Sequence, residues 1–187
     1  FIGDICKSLL FGGKMIICPD DLRFDLSGLY KLIEAHQVTI FETTPALGIP
    51  LMDYIYDNNL DYTSLKQVIL GSDIFSIHDF KRLYNRFGSD IRITNSYGLT
   101  EVTIDSSYYE VKDETDLSSL SNVPIGKPLH NTQFYILDNS KKLVPQGITG
   151  ELYIGGLGLA KEYLNNPSLT QTKFIPNPFQ ENSRLYK

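Results

Sequence analysis

Tryptophan is absent from the 187 residues, and there are only two cysteines, two methionines and three histidines. Cys6 and Cys18 are too few for a disulfide framework or a cysteine-rich zinc site. No histidine or basic residue is obviously paired with either, so both read as small buried hydrophobes and the chain as a cytoplasmic one. His36 reads as a packed boundary residue, and His78 and His130 have no metal partner at ligand spacing. Positive charge is also scarce: 17 Lys and Arg against 22 Asp and Glu give a net charge of −5, with no basic cluster. That excludes a non-specific nucleic-acid binder. No apolar run approaches the ~20 residues that span a bilayer, and no basic segment leads into an apolar one as in a secretory signal. Neither nucleic acid nor membrane is therefore an expected partner. Repeats and low-complexity tracts are missing too. At 42% hydrophobic residues the chain has material for a sizeable core.

What is present is a rhythm of β-favouring runs and amphipathic stretches. Asp4 to Phe11 reads as a short helix ended by Gly12-Gly13, and Lys14 to Cys18 as a strand closed by Pro19. Asp25 caps a helix through His36, with Leu29, Leu32, Ile33 and His36 on one face. Val38 to Glu42 is a strand. Thr44 caps a helix with Pro45 at its first position, and Pro50 should kink that helix or delay its start. Leu65 to Leu70 and Ile91 to Thr94 are strands flanking a helix that runs from Ser76 to Gly88. Thr103 to Val111 alternates like a longer strand. Strands alternating with helices indicate parallel βαβ units.

After Val111 the character changes. Residues 112–122 form a polar, mostly acidic linker, and 123–187 hold short strands and turns, with strands at Gln133 to Leu137 and Glu151 to Ile154. Leu159 to Leu164 reads as a helical turn broken at Asn165-Asn166-Pro167. The expected fold is α/β: a flavodoxin-like parallel-sheet subdomain over 1–111, the linker, then part of a small β-barrel subdomain.

Ligands of an open α/β sheet bind at the carboxyl ends of its strands. Those ends are Glu42-Thr43-Thr44, Gly71-Ser72-Asp73 and Asn95-Ser96-Tyr97-Gly98. The run from Asn95 through Leu99-Thr100-Glu101 offers an amide, an aromatic face, hydroxyls and a carboxylate within seven residues. A ring can stack on Tyr97, a hydroxyl can meet a phosphate oxygen and Glu101 can hold Mg²⁺. Taken alone, the same pattern also describes an ordinary polar loop.

The run resembles the N-x-Y-G-P-T-E motif of the adenylate-forming superfamily. Gly150 to Gly156 with Gly158-Leu159-Ala160 and Tyr163-Leu164 resembles its G-E-L-x-I-G-G-x-G-x-A-x-G-Y-L motif. Pro124 to Pro128 with Asn131-Thr132, and Leu169-Thr170 with Lys173-Phe174, match two further family segments. The resemblance runs through the whole chain and points to amino-acid adenylation domains of non-ribosomal peptide synthetases. There are departures: Leu99 stands for the usual proline, Glu162 for a common glycine, and Ser72-Asp73 for a frequent Gly-Glu.

The resemblance implies that ATP and Mg²⁺ are cofactors and that the substrate is an amino acid. The partners would be a phosphopantetheinylated carrier domain and other synthetase modules. Thr100 and Glu101 would be catalytic, with Glu101 the metal ligand. Gly71, Ser72, Asp73, Asn95, Ser96, Tyr97 and Gly98 would bind the nucleotide, Tyr97 by stacking and Asn95 at the adenine edge. Gly3, Glu42, Ile69, Gly71, Ser96, Ile104 and Asp105 would line the side-chain pocket. Two carboxylates in one pocket call for a cation, and the set resembles that of ornithine-activating modules, with lysine and diaminobutyrate as near alternatives. An acyl-CoA synthetase-like ligase, or a catalytically incomplete binding fragment, stays open. With no initiator methionine, the chain is expected to be cut from a longer polypeptide. The family's phosphate loop would precede it, and the ribose-binding aspartate and the domain with the catalytic lysine would follow. On its own it is expected to adenylate very slowly or not at all.

Overall fold

Alternation of branched apolar runs with capped amphipathic stretches becomes, in the computed structural model, a five-stranded mixed sheet whose first three strands are parallel and carry packed helices. The structure describes residues 2–88, 90–110, 117 and 119–187. The chain divides into two units, Phe1–Ser96 with Tyr109–Gly126, and Tyr97–Tyr108 with Lys127–Lys187.

The first unit holds α1 (Ile2–Leu9), α2 (Leu26–His36), β1 (Ile40–Thr43), α3 (Pro45–Asp57), β2 (Gln67–Gly71), α4 (Ile77–Phe87) and most of β3 (Arg92–Tyr97). β1 pairs with β2, and β2 with β3, all parallel. The register aligns Phe41, Val68 and Ile93 in one row and Glu42, Ile69 and Thr94 in the next. Because strand side chains alternate, the first row faces the core and the second faces away from it. Val68 and Ile93 accordingly pack with Leu29 and Ile33 of α2, Leu51 and Ile55 of α3, and Phe80 and Phe87 of α4.

Sequence chemistry sets the helix ends. Asp25 accepts the Ser27 amide at 3.0 Å, and Ser76 accepts the Asp79 amide at 3.0 Å. α3 starts at Pro45 as expected, but Pro50 neither delays nor ends it. The amide missing at Pro50 would have met the Ala46 carbonyl, and both residues are solvent-exposed, so water can serve that acceptor. Asp53 on α3 accepts Arg82 and Arg86 of α4 at 3.1 and 2.6 Å.

Four expectations are corrected. Lys14 to Cys18 joins no ladder, and Ile17 is exposed; a β-favouring run without a paired neighbour is not a strand. The strand expected from Thr103 is only β4, Ser107–Glu110, because Thr103 and Ile104 adopt φ of 63° and 68°. The far end of that expected strand and most of the linker fall at 111–116 and 118, outside the described residues. Of the rest of the linker, residues 119–122 are exposed, while Leu117 is buried in the core and the Ser121 carbonyl accepts the Ile77 amide. Leu159 to Leu164 makes no helical turn, since the Ala160 amide is spent on the Glu101 carbonyl and Arg184 takes the Ala160 and Lys161 carbonyls. Asn166, read as a break, instead caps α5 (Pro167–Lys173) by accepting the Leu169 amide.

The second unit carries β5 (Lys127–Pro128), which pairs with β4. It also holds an antiparallel sheet in the order β6 (Thr132–Leu137), β7 (Glu151–Gly156), β9 (Arg184–Tyr186), β8 (Phe174–Pro176). Leu137, Tyr153 and Leu185 form its small core.

Candidate functional site

In the first unit, parallel pairing brings the strand ends together. Gly71 lies opposite Ser96, and a Cβ at Gly71 would sit 2.1 Å from the Ser96 Oγ. A side chain there would require the Ser96 hydroxyl to turn away. Counting in twos along the ladder puts Glu42, Ile69, Gly71 and Ser96 on the face opposite the core. Helix α1 supplies Lys7, whose Nζ donates to Glu42 Oε1 at 2.8 Å and Oε2 at 2.9 Å. Gly3 stands one turn before Lys7 on the same helix face. The Glu42 carboxylate is about a quarter exposed and the Lys7 side chain 43% exposed, so solvent screens this ion pair. Asp4, Lys7, Glu42 and Ile69 share a largely apolar cavity of about 740 Å³ with Leu29 and Ile33.

Beyond β2, Ser72 adopts φ 64°, a conformation glycine takes more easily. The Asp73 carboxylate accepts the next amide, of Ile74, at 2.7 Å. Asn95 is buried, and its amide donates to the Val123 and Pro124 carbonyls at 3.2 and 2.9 Å. Of the polar atoms on that side chain, Oδ1 is the one this tie leaves over.

In the second unit, Tyr97 sets its ring edge-on to Phe134 at 6.5 Å, and burial pushes its hydroxyl pKa up. Its carbonyl accepts the Ser106 amide at 2.8 Å, which closes the intervening loop. Gly98 packs against that loop's far side: a Cβ there would lie 1.5 Å from the Ile104 carbonyl oxygen. Thr100 opens a 3₁₀ turn over Thr100–Val102. The turn leads into Thr103 and Ile104, two β-branched residues held in the left-handed region, an arrangement that persists only where surroundings enforce it. The Thr103 hydroxyl donates to the Gly158 carbonyl at 2.7 Å. Ile104 is 41% exposed, and Asp105 is partly buried.

Glu101 is held from the opposite motif. The Tyr163 hydroxyl donates to Glu101 Oε1 at 2.5 Å, and that bond holds the carboxyl below its ordinary range. The same contact drives the Tyr163 hydroxyl well above its usual value. No group of three His, Cys, Asp or Glu side chains that could cage a metal occurs among the described residues. A single hard carboxylate at Glu101 suits Mg²⁺ that arrives with a nucleotide's phosphates rather than a resident ion.

Sequence reasoning missed two partners. Lys7 was legible only as the residue one turn after Gly3, and the pairing of Tyr163 with Glu101, 62 residues apart, had no local signal. Among the described residues, no helix is long and apolar enough to cross a membrane.

Residues 1–164 match the AMP-binding enzyme family. Tyrocidine synthase 3 of Brevibacillus parabrevis is 51% identical over 185 residues, covering 99% of this chain and 3% of that protein. Bacitracin synthase 2 of Bacillus licheniformis is 50% identical over 187 residues, covering 100% of this chain and 7% of that protein. The chain thus spans a small part of these curated relatives. Among solved structures, holo-AB3403, a four-domain nonribosomal peptide synthetase bound to AMP and glycine, aligns with a TM-score of 0.78 at 32% identity, covering 94% of this chain and 12% of that one. The Klebsiella oxytoca NpsA N-terminal subdomain in complex with 3-hydroxybenzoyl-AMSN aligns with a TM-score of 0.79 at 26% identity, covering 98% and 45%. The chain belongs to the AMP-binding enzyme family, as found in the adenylation modules of nonribosomal peptide synthetases.

Proposed function

We propose that the protein containing this chain activates an amino acid with ATP and hands it to a carrier domain. The amino acid's carboxylate attacks the α-phosphate and pyrophosphate leaves; the phosphopantetheine thiol then attacks the acyl carbon and AMP leaves. Such chemistry rests on positioning and charge neutralisation. Tyr97 offers a ring face to adenine, and Asn95 keeps Oδ1 for the exocyclic amine. Gly71, Ser72, Asp73, Ser96 and Gly98 supply close-packed backbone along the nucleotide and substrate. Thr100 offers a hydroxyl to phosphate. Mg²⁺, held through Glu101, would neutralise phosphate charge when the nucleotide is bound.

The substrate class rests on one observation: Glu42 is a carboxylate on the same sheet face as Ile69, Gly71 and Ser96, and with Ile69 it lines a mostly apolar cavity. With Gly3 leaving room, and with Ile104 and Asp105 assigned to the pocket by resemblance, the reading is a diamino acid such as ornithine, whose distal ammonium meets Glu42. Charge-assisted bonds of this kind are the strong ones. Lys7 favours a second reading, in which Glu42 is already neutralised by the chain and the substrate side chain carries no charge.

Glu42→Gln separates the two. If Glu42 meets the substrate, kcat/KM for ornithine in pyrophosphate exchange falls about ten- to a hundredfold, the worth of one hydrogen bond to a charged group, while norvaline changes little. Equal losses for both amino acids would support the second reading and remove the diamine assignment.

A further inference from the structure

Glu101 sits, half-buried, on a 3₁₀ turn of three residues between exposed Thr100 and buried Val102, and a glutamate side chain has several rotamers open to it. Here it does not stand alone. The Tyr163 hydroxyl reaches it from the segment after β7, and the Tyr186 hydroxyl of β9 lies 3.3 Å from that of Tyr163. Tyr163 is itself anchored. Its amide donates to the Thr170 Oγ1 at 2.9 Å, and its ring sets edge-on against Phe174 at 5.6 Å. Phe174 in turn meets the Tyr186 ring at 5.2 Å. The backbone on either side is tied as well, by the Ala160 amide on the Glu101 carbonyl at 2.8 Å and the Thr103 hydroxyl on the Gly158 carbonyl at 2.7 Å. A hydroxyl fixed at backbone, ring and neighbouring phenol is a rigid donor, and a rigid donor selects one carboxylate orientation.

We propose that Tyr163, backed by Tyr186, is a positioning residue that pre-sets the Glu101 carboxylate for the divalent cation of the bound nucleotide. The inference rests on the nucleotide reading of Glu101 given above and adds a residue that acts only through it. Groups that hydrogen-bond a metal-ligating carboxylate fix its orientation, and their loss typically weakens the metal about ten- to a hundredfold. Glu101 is one ligand among phosphate and water oxygens, so the lower end of that range applies here. The phenol remains on the protein throughout, and no proton transfer is required of it.

The test uses Tyr163→Phe in the full-length protein, with Tyr186→Phe beside it. Phenylalanine keeps the ring contact with Phe174 and removes only the hydroxyl. Two quantities are read: the Mg²⁺ concentration for half-maximal pyrophosphate exchange, and Mn²⁺ affinity, by electron paramagnetic resonance, of the complex with a non-hydrolysable ATP analogue. In Tyr163→Phe both should weaken about tenfold, with kcat restored at saturating metal. Tyr186→Phe should move both in the same direction by less. Unchanged metal dependence in an active Tyr163→Phe protein overturns the proposal, as does a loss of kcat that saturating metal does not restore. Absence of amino-acid-dependent exchange in the wild type, with Mn²⁺ affinity equal in wild type and Tyr163→Phe, would overturn both this proposal and the reading beneath it. An inactive wild type whose Mn²⁺ affinity still falls on Tyr163→Phe would overturn the activity alone and support the positioning role.

Discussion

Single residues in this chain are constrained mostly by what stands beside them. Gly98 has the least freedom, because the Ile104 carbonyl oxygen occupies the space a side chain would take. The obstruction is backbone, so it cannot swing aside. Gly98→Ala should cost at least the ~1–3 kcal/mol typical of overpacking, read as a lower urea midpoint with an unchanged slope. A variant as stable as wild type would mean that the loop through Thr103 and Ile104 yields easily. That loop also marks a limit of sequence reading. Threonine followed by isoleucine signals a strand, yet both residues are left-handed, because contacts of Leu99, Gly98 and Gly158 with the turn decide their backbone. Glu42 was legible as a polar strand end, but its ion pair with Lys7 comes from a helix 35 residues away in sequence.

Elements were read best where their ends carry chemistry. Asp25 and Ser76 cap as their residue types require, and the i, i+3, i+4 apolar faces of α2 and α4 are the ones buried. Ser76 both accepts the Asp79 amide and donates to its carboxylate at 2.7 Å. Ser76→Ala should therefore lower stability by about 1 kcal/mol in urea unfolding, and Ser76→Thr by less. Elements were read worst where pairing decides, as at Lys14 to Cys18, since composition does not show whether a strand has a neighbour. In β7, Glu151 accepts the buried Tyr153 hydroxyl at 2.8 Å, and that bond holds its carboxyl low, with Lys187 adding to the effect. A folded-state value below the unfolded one adds stability above the ordinary carboxyl value of about 4.3, and loses it as pH falls through the folded value. Glu151 is half exposed, so solvent weakens the effect. In thermal melts the wild type should exceed Glu151→Gln slightly at neutral pH, and the gap should close below about pH 4. A gap that widens on acidification would contradict the assignment.

At the scale of the molecule, alternating strands and helices made the α/β class readable, and four ordered motifs made the family readable before any coordinates. The division into units was less legible, because the chain passes from the first to the second at Tyr97, inside β3, and returns at Tyr109, inside β4. Composition shifts mark linkers, whereas this crossing runs through continuous strand. The functional account requires that a carboxylic acid bearing a distal ammonium drive formation of an adenylate. The direct measurement is exchange of labelled pyrophosphate into ATP by the full-length protein, across a panel of amino acids matched in size. The account predicts the fastest exchange with ornithine, slower exchange with lysine and diaminobutyrate, and little with norvaline. Fastest exchange with an apolar or acidic side chain, or none with any amino acid, would contradict it.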